Sequence, residues 1–342
     1  MSESERINFT AGVQALGHDA RGLDVTRLVG GASNRTYHRV RAVGGASWVV
    51  MVLPDDAMAS EEAVVRGQRD ESELPFLQLA RFLGDRDVPV PRVHHVDSAR
   101  GHVWLDDLGD HTMLDVLAVR DRMALYREAI AVLVALQRAT EREPESAPVC
   151  FRRRFEPSLL RWELDHYREW RLEHGLGRSL TDATLAALSA EFDALVAAIA
   201  AQPHRVAHRD FQSTNLMATA RGLVLIDFQD ALVAPWTYDL VALLRDSYVT
   251  LAPAEVAQLV EVYLVHRPEL DAVAFRRDVA LQTVQRKLKD AGRFVYIDRV
   301  KGNPSYLRWI EPTLGFVRDA LRAAPEFGRL RELLAGLDPA LR

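Results

Sequence analysis

The sequence is poor in cysteine, since Cys150 is the only one among its 342 residues. A single thiol excludes a disulfide within the chain and a zinc site built from several cysteines. Because Val149 and Phe151 flank the thiol, we expect it to be buried and to have a packing role rather than a nucleophilic one.

Lysine is also scarce. Only three of the 43 basic residues are lysines, namely Lys287, Lys289 and Lys301, so the first 286 residues contain none. Any site in that part of the chain must therefore obtain positive charge from arginine, from backbone N–H groups or from a bound cation.

The chain has no block of like charge, and no apolar run approaches the length expected of a membrane span. Its formal net charge is −5, which argues against a nucleic-acid or membrane partner. The first residues, Met1–Arg6, are acidic and polar where a signal peptide would be basic and then apolar. We therefore expect a cytoplasmic enzyme of small molecules that binds neither nucleic acid nor membrane.

The most informative segment is His208–Asn215, which reads His-Arg-Asp-Phe-Gln-Ser-Thr-Asn and is followed twelve residues later by Asp227. The pattern H-R-D-x-x-x-x-N with a later Asp is typical of phosphoryl transfer from ATP, in which a carboxylate accepts the proton of the attacking hydroxyl and two side chains hold magnesium. Asp210 is the candidate base, and Asn215 and Asp227 are the candidate ligands. The alternative is a surface turn in which Asp210 pairs with Arg209.

The length of the chain and its 48% of apolar residues favour two lobes over one core. Extended apolar segments separated by glycine turns predict an antiparallel sheet early in the chain, and helical periodicity dominates afterwards. We predict an α+β fold with a sheet-rich lobe over residues 1–107 and a mainly helical lobe over 108–342. The predicted strands are 25–29, 37–41, 48–53, one starting near 101, 206–207 and 223–226. The predicted helices are 5–19, 71–83, 112–140, 155–173, 181–201, 236–249, 253–266, 272–294 and 304–322.

The turn after the first predicted strand contains Gly30 and Gly31. Glycine lets backbone N–H groups approach phosphates closely, although an ordinary hairpin turn is the alternative. The candidate nucleotide-binding residues in and after this turn are Gly31, Ser33, Asn34 and Arg35.

Three segments carry a resemblance to a known family: His208–Asn215, Leu225–Ala231 and Ala234–Tyr248. They resemble the aminoglycoside phosphotransferase and choline kinase superfamily. Within that superfamily, the chain is most similar to the bacterial anomeric N-acetylmuramate/N-acetylglucosamine kinases of cell-wall recycling. This similarity is carried by Leu105–Gly109 and by the runs Asp-Phe-Gln-Asp-Ala, Thr-Tyr-Asp-Leu and Leu-Leu-Arg-Asp-x-Tyr. The resemblance covers residues 25–320 approximately.

The resemblance implies a protein-kinase-like fold of two lobes with the ATP site between them. It also implies transfer of the γ-phosphate to the C1 hydroxyl of an amino sugar. Asp210 would accept or orient the proton of that hydroxyl, while Asn215 and Asp227 would hold Mg²⁺ against the phosphates of ATP. Main-chain groups of Asp106 and Leu108 would contact adenine.

The sequence departs from the protein-kinase pattern at one position. Protein kinases carry a phosphate-binding lysine on the third strand, and Met51 stands at the corresponding place here. We expect the phosphate charge to be met by the glycine turn, by Arg35 or Arg39, or mainly by magnesium.

The late helices are expected to face the acceptor, by the same resemblance. A carboxylate such as that of N-acetylmuramate would pair there with an arginine, and Gln282, Arg286, Lys289 and Arg293 share a helical spacing. The alternative for each is a salt bridge or a solvated face. The candidate acceptor-binding residues are Gln212, Asp230, Arg245, Asp246 and Arg293.

Two residues near the motif are expected to be structural. Asp239 follows Tyr238 at the start of a predicted helix, where its carboxylate can accept hydrogen bonds from N–H groups and steady the loop of Asp210. His208 is expected to bond the backbone of its own loop rather than carry a proton.

Two other functions stay open. The chain could phosphorylate another small hydroxyl compound, such as an aminoglycoside or a choline-like alcohol, although the arginines of the late helices disfavour a cationic acceptor. It could also be a weakly catalytic nucleotide-binding module, but the intact Asp210, Asn215 and Asp227 favour catalysis. We expect a monomer that uses ATP and Mg²⁺.

Overall fold

The computed structural model describes residues 8–28, 35–54 and 74–342. The chain forms two compact units, the first comprising residues 1–111 and 217–229 and the second residues 112–216 and 230–342. The first division therefore falls after residue 111, where the sequence predicted it after residue 107. The first unit also includes a later stretch of chain that the predicted division assigned to the second lobe.

The order of elements confirms the predicted α+β class, because strands come early and helices dominate the rest. The described strands are β1 Asp24–Leu28, β2 Thr36–Arg41, β3 Ser47–Val52, β4 Val93–Asp97, β5 His102–Asp106, β6 His204–Ala207, β7 Leu216–Thr219, β8 Gly222–Leu225 and β9 Leu232–Pro235. The described α-helices are α1 Thr10–Ala15, α2 Pro75–Gly84, α3 Met113–Val116, α4 Arg122–Ala139, α5 Pro157–His166, α6 Asp182–Ala200, α7 Tyr238–Leu244, α8 Pro253–His266, α9 Ala272–Lys301, α10 Ile310–Ala323 and α11 Gly328–Leu337.

The first unit is built on a five-stranded sheet in the order β1-β2-β3-β5-β4, with every neighbouring pair antiparallel. One face is apolar, and Trp48 and Trp104 meet on it edge to face, with ring centroids 6.0 Å apart. Helix α1 packs on this face at Gly12, where an added Cβ would lie 2.2 Å from the Trp104 ring. Glycine is therefore what allows α1 to approach the sheet so closely.

The stretch 217–229 joins the first unit through a two-stranded sheet of β7 and β8. The Ala218 N–H donates to the His111 carbonyl at 2.8 Å, and the Leu225 N–H donates to the Pro89 carbonyl at 2.7 Å. These hydrogen bonds tie residues that lie more than a hundred positions apart in the sequence.

Helix α9 passes through the core of the second unit. It has 30 residues, and its N-terminus is capped by Asp271, whose side chain accepts hydrogen bonds from two backbone N–H groups. At Gly292, an added Cβ would lie 2.8 Å from the His166 carbonyl oxygen and from the Tyr167 Cα atom, so the helix passes in backbone contact with the end of α5. It ends at Gly302, which has φ +66° and adopts the left-handed conformation common after helices.

One helix of the described chain, α6, is long and apolar enough to cross a membrane by length and composition. Its apolar residues are interrupted by Ser189, Glu191 and Asp193, so the helix does not contain an apolar run of that length. Its side chains Leu188, Phe192, Leu195 and Ile199 are fully buried in the core of the second unit, whereas most of its other residues are partly or fully exposed.

Candidate active site

The loop of Asp210 begins where β6 ends. Strand β6 pairs with β9, and the next residues reverse direction with Arg209 at φ +83°, a conformation that costs energy for a residue with a side chain. The buried carboxylate of Asp239 accepts hydrogen bonds from the backbone N–H groups of His208 at 2.6 Å and Arg209 at 3.0 Å. The predicted steadying role of Asp239 is confirmed.

The carboxylate of Asp210 lies beside a buried cation. Its side chain is 54% exposed, and the Nη2 atom of Arg286, which is 1% exposed, lies 3.5 Å from its Oδ1. Arg286 also donates to the Arg209 carbonyl at 3.3 Å and lies 4.8 Å from the centre of the Tyr238 ring. Burial raises the pKa of Asp210, but Arg286 and Lys289 together hold it below its usual value. The group is therefore an anion at neutral pH, as a proton acceptor must be.

Asn215 is held by the same loop. Its backbone N–H donates to the Gln212 carbonyl at 3.0 Å, and its Nδ2 donates to the Asp210 carbonyl at 2.8 Å. Because the nitrogen end is bound, the side-chain oxygen has no partner in the described part of the chain and is the end that can meet a hard cation.

Asp246 lies beneath this loop rather than on its surface. The carboxylate is 1% exposed, and it accepts hydrogen bonds from the Ser213 N–H at 3.0 Å, the Ser213 hydroxyl at 2.5 Å and the Tyr248 N–H at 3.0 Å. The neighbouring Arg245 places its guanidinium 4.9 Å from the centre of the Phe316 ring. The structure thus engages both of these predicted acceptor residues in packing within the second unit.

The remaining acceptor candidates have more open positions. Gln212 and Asp230 are half-buried, and Arg293 is exposed on α9 with its guanidinium 4.8 Å from the centre of the Tyr296 ring. The Gln212 N–H donates to the Asp210 carbonyl at 2.9 Å, so Gln212 lies in the turn immediately after the base.

In the first unit, Asp227 presents its side chain to solvent. Its backbone has φ +65°, and its carboxylate accepts a hydrogen bond from Gln229 Nε2 at 2.8 Å. The next residue, Phe228, is fully buried and stacks on Phe76 of α2, with ring centroids 5.0 Å apart. The buried ring anchors the segment so that the preceding carboxylate points outward.

Three polar side chains of the first unit are close neighbours. Burial raises the pKa of the Tyr37 hydroxyl, Arg35 lowers it through charge and a hydrogen bond, and Asp227 raises it. Arg35 therefore hydrogen-bonds to Tyr37, and the charge of Asp227 acts on the same hydroxyl.

The other nucleotide candidates divide into three groups. Gly31, Ser33 and Asn34 lie outside the described residues. Asp106 is bound to β4 and to the residue before it. Its N–H donates to the Arg92 carbonyl at 3.2 Å, and its carboxylate lies 2.7 Å from His94 Nε2. The backbone of Leu108, in contrast, has no hydrogen bond to another described residue.

Arg39 has a role that the sequence did not suggest. It is 5% exposed, and its guanidinium forms ion pairs with Asp107 at 2.9 Å and Asp110 at 2.6 Å and a hydrogen bond to the Gly109 carbonyl at 3.0 Å. These contacts tie β2 to the segment that follows β5. Arg39 therefore holds this segment instead of offering its charge to phosphate.

An aromatic cluster on α5 and the π-helix Tyr167–Gly175 was also missed. Trp162, His166 and Trp170 recur every four residues, and the rings of His166 and Trp170 both approach Tyr296 of α9, with centroids 5.6 and 4.9 Å away. Burial, together with the charges of Arg293 and Lys289, lowers the pKa of His166 to about 4. The four-residue repeat is the signal that could have indicated this face.

No group of three or more His, Cys, Asp or Glu side chains in the described residues could hold a metal ion alone. A magnesium ion brought by a nucleotide needs only one or two protein ligands, since phosphates and water supply the rest. Cys150 is buried as predicted, and burial raises the pKa of its thiol to about 12, so the thiol is unreactive.

Comparison with known proteins gives a consistent result. The model of the phosphotransferase enzyme family matches residues 24–275. The N-acetylmuramate/N-acetylglucosamine kinase of Pseudomonas putida is 31% identical over 91% of this chain and 87% of its own length. The kinase of the same name from Neisseria meningitidis is 32% identical over 93% of this chain and 91% of its own.

Solved structures share the fold at lower identity. A choline/ethanolamine kinase family protein from Mesorhizobium loti has a TM-score of 0.58 at 18% identity, with 99% of this chain and 98% of that one covered. The aminoglycoside phosphotransferase APH(2'')-Ib in its ADP-bound form has a TM-score of 0.56 at 16% identity, with 92% and 98% covered.

Proposed function

The chain belongs to the phosphotransferase enzyme family, and from that premise we propose that it transfers the γ-phosphate of ATP to the anomeric hydroxyl of N-acetylmuramate and N-acetylglucosamine. The observation that carries the proposal is that proteins named as kinases of these two sugars are 31–32% identical over 90–93% of the chain. The product is a sugar 1-phosphate, and the enzyme acts as a monomer in the cytoplasm.

Asp210 is the proposed base. The sugar O1 forms a bond to the γ-phosphorus while the bond from that phosphorus to the β–γ bridging oxygen breaks, and the proton of O1 passes to the Asp210 carboxylate. Arg286 supports this role because it keeps the carboxylate anionic. Asp239 fixes the backbone that carries it, and such positioning accounts for much of the rate in phosphoryl transfer.

Asn215 and Asp227 are proposed as ligands of Mg²⁺. The ion neutralises charge on the phosphates as the transfer proceeds. Both residues offer the oxygen atoms that Mg²⁺ prefers. In each case a neighbour prepares the ligand: the Asp210 carbonyl binds the nitrogen end of Asn215, and the buried Phe228 ring holds Asp227 outward.

Nucleotide binding is proposed to use Arg35 for phosphate and main-chain groups of Leu108 for adenine. The first assignment is supported by Tyr37, which hydrogen-bonds to Arg35 and whose hydroxyl is affected by the charge of Asp227, and the unpaired backbone of Leu108 in the described chain supports the second. Gly31, Ser33 and Asn34 keep their proposed contact with the phosphates, whereas Asp106 already bonds β4.

On the acceptor side we retain Gln212, Asp230 and Arg293 as proposed contacts. For Asp246 we now favour a positioning role, because its oxygens hold Ser213 of the catalytic loop. Arg245 is assigned to packing against Phe316.

A coupled assay of ADP release tests the proposal. The acceptors are N-acetylmuramate, N-acetylglucosamine, their 1-O-methyl glycosides, choline and kanamycin, each with Mg²⁺ and ATP. We expect turnover of the free sugars and none of the 1-O-methyl forms, which lack the reacting hydroxyl. Turnover of choline or kanamycin alone would replace the proposed acceptor, and no turnover with any of them would leave a nucleotide-binding module.

The base is tested separately by Asp210→Asn. Because the amide cannot accept the proton, we expect kcat to fall roughly 100-fold or more while nucleotide binding stays near that of the parent protein. Unchanged turnover would remove Asp210 from this role.

A further inference from the structure

Two of the three lysines of the chain lie within one turn of α9, and both contact the same carboxylate. Lys287 Nζ is 2.7 Å from Asp290 Oδ2, and Lys289 Nζ is 2.9 Å from Asp290 Oδ1. One negative charge therefore lies between two positive ones. This group, which we call the lysine pair, lies on α9 next to Arg286, which contacts the catalytic loop.

The two lysines differ in exposure. The Lys287 side chain is 0% exposed, and its second contact is the Ser247 hydroxyl at 3.4 Å, so it serves to anchor Asp290. The Lys289 side chain is 22% exposed, and its ion pair with Asp290 is the one salt bridge or side-chain hydrogen bond that it forms with the described residues. An ammonium group has three N–H donors, so Lys289 retains donors for a ligand.

Glu163 of the neighbouring helix α5 adds to the negative charge around Lys289. It accepts a hydrogen bond from Gln285 Nε2 at 2.7 Å, and it forms no ion pair with Lys289 in the described structure. Burial lowers the pKa of Lys289, whereas Asp290 and Glu163 raise it above its usual value. Lys289 is therefore a cation at neutral pH, and the N–H donors that Asp290 does not use fit an anionic ligand.

The lysine pair lies one helical turn from the base. Arg286, three residues before Lys289, contacts Asp210 at 3.5 Å, and residues three apart on a helix are neighbours on one face, about 5–6 Å apart. Lys289 therefore lies near the face of α9 from which Arg286 contacts the base.

We propose that Lys289 binds the carboxylate of the acceptor and distinguishes anionic N-acetylmuramate from neutral N-acetylglucosamine. The inference rests on the proposed function, which puts the reacting C1 hydroxyl at Asp210. The muramate carboxylate belongs to the lactyl group on the C3 oxygen, two ring positions from C1, so it lies several ångströms from the reacting hydroxyl, on the scale of one helical turn of about 5.4 Å. Asp290, held by Lys287, keeps the Lys289 ammonium on this side of the helix.

The test compares both sugars in Lys289→Gln. Loss of one charge-assisted hydrogen bond is expected to lower the ratio of kcat/KM for N-acetylmuramate to kcat/KM for N-acetylglucosamine roughly 10- to 100-fold, mainly through KM for the muramate. Lys301→Gln is the matched control, because Lys301 is exposed at the far end of the same helix, and its ratio is expected to equal that of the parent. Thermal unfolding of each variant verifies folding.

Three results would overturn the inference. An equal loss on both sugars would make Lys289 a structural residue. A selective loss in Arg293→Gln, with an unchanged ratio in Lys289→Gln, would transfer the role to the exposed arginine. Absence of turnover of either sugar by the parent protein would refute the proposed function itself and would be recognised before any variant is compared.

Discussion

Replacing Asp239 with alanine is expected to reduce both stability and turnover. Its carboxylate is 1% exposed and binds two backbone N–H groups, those of His208 at 2.6 Å and Arg209 at 3.0 Å. Without it, two buried donors lose their partner, and the Arg209 backbone at φ +83° is free to relax to a less strained conformation. Asp210, the next residue, would move with it.

The magnitude follows from the contacts. A hydrogen bond to a charged group contributes roughly 1.5–3 kcal/mol, so the two together amount to roughly 3–6 kcal/mol. Burial raises the pKa of Asp239, and the His208 imidazole and the two N–H donors oppose that shift, so part of the gain is offset by the cost of burying the charge. We expect the free energy of unfolding to fall by about 2–4 kcal/mol. A displacement of the base by about 1 Å would lower kcat about 100-fold.

Urea unfolding followed by circular dichroism measures the first quantity, and steady-state assays at a temperature where the variant is folded measure the second. Asp319→Ala is the control, because its ion pair with Arg322, at 3.2 Å, is exposed and such pairs contribute at most about 1 kcal/mol. The reasoning would be refuted if Asp239→Ala matched the control in stability and kept its kcat.

Three further predictions use other contacts. Arg39→Gln should raise KM for ATP several-fold, because it loosens the segment after β5. Arg41→Gln breaks only an exposed ion pair and should leave KM for ATP unchanged. Equal KM values in the two variants would contradict the role of Arg39 in holding this segment. The pKa of His166 is about 4 in the folded protein and about 6.5 in the unfolded chain. Between these pH values only the unfolded chain binds a proton at this residue, so the free energy of unfolding falls as the pH drops from 6.5 towards 4. By pH 5 the loss should be about 2 kcal/mol, seen in urea titrations and absent in His166→Gln; a parallel loss in that variant would rule out this cause. Asp246→Ala leaves the Ser213 N–H and hydroxyl unpaired and should cost about 2–4 kcal/mol of stability with at least a tenfold loss of kcat, measured by urea unfolding and assay; a change in KM alone would restore its predicted acceptor role.

The catalytic loop was predictable because the chemistry prescribes its residues and spacing. Asp210 and Asn215 lie on one loop of the second unit, joined by the hydrogen bond from Asn215 Nδ2 to the Asp210 carbonyl. The supporting role of Asp239 followed from its place at the start of a helix, next to β9 and hence to β6. At these residues the local sequence determines the loop geometry that the reaction needs.

The acceptor candidates were harder to predict, because burial depends on contacts distant in sequence. Asp246 and Arg245 are both charged and both near the motif, but Asp246 turns under Ser213 while Arg245 packs on Phe316. Neither partner is marked by spacing. Arg39 is a similar case, since its partner Asp110 lies 71 positions away.

Short strands were also missed. Strands β4, β7 and β9 have only four or five residues, too few for alternation alone to identify a strand, whereas the equally short β6 and β8 were predicted because they flank the catalytic motif. The predicted helix 155–173 is real as far as His166, but it continues as a π-helix. The change occurs where the backbone of His166 and Tyr167 lies against Gly292 of α9, a contact that is distant in sequence.

The first unit is built from two separate segments of the chain, and this affects how it folds during synthesis. Residues 217–229 complete that unit, yet about a hundred residues of the second unit leave the ribosome before them. At translation rates of 5–20 residues per second, the partners Pro89 and Phe76 would wait roughly 6–30 s for Leu225 and Phe228. During that interval an unfinished apolar surface is exposed to the cell. A gene truncated before residue 229 would therefore encode an incomplete first unit and an incomplete second unit. The two units have to be expressed as one chain.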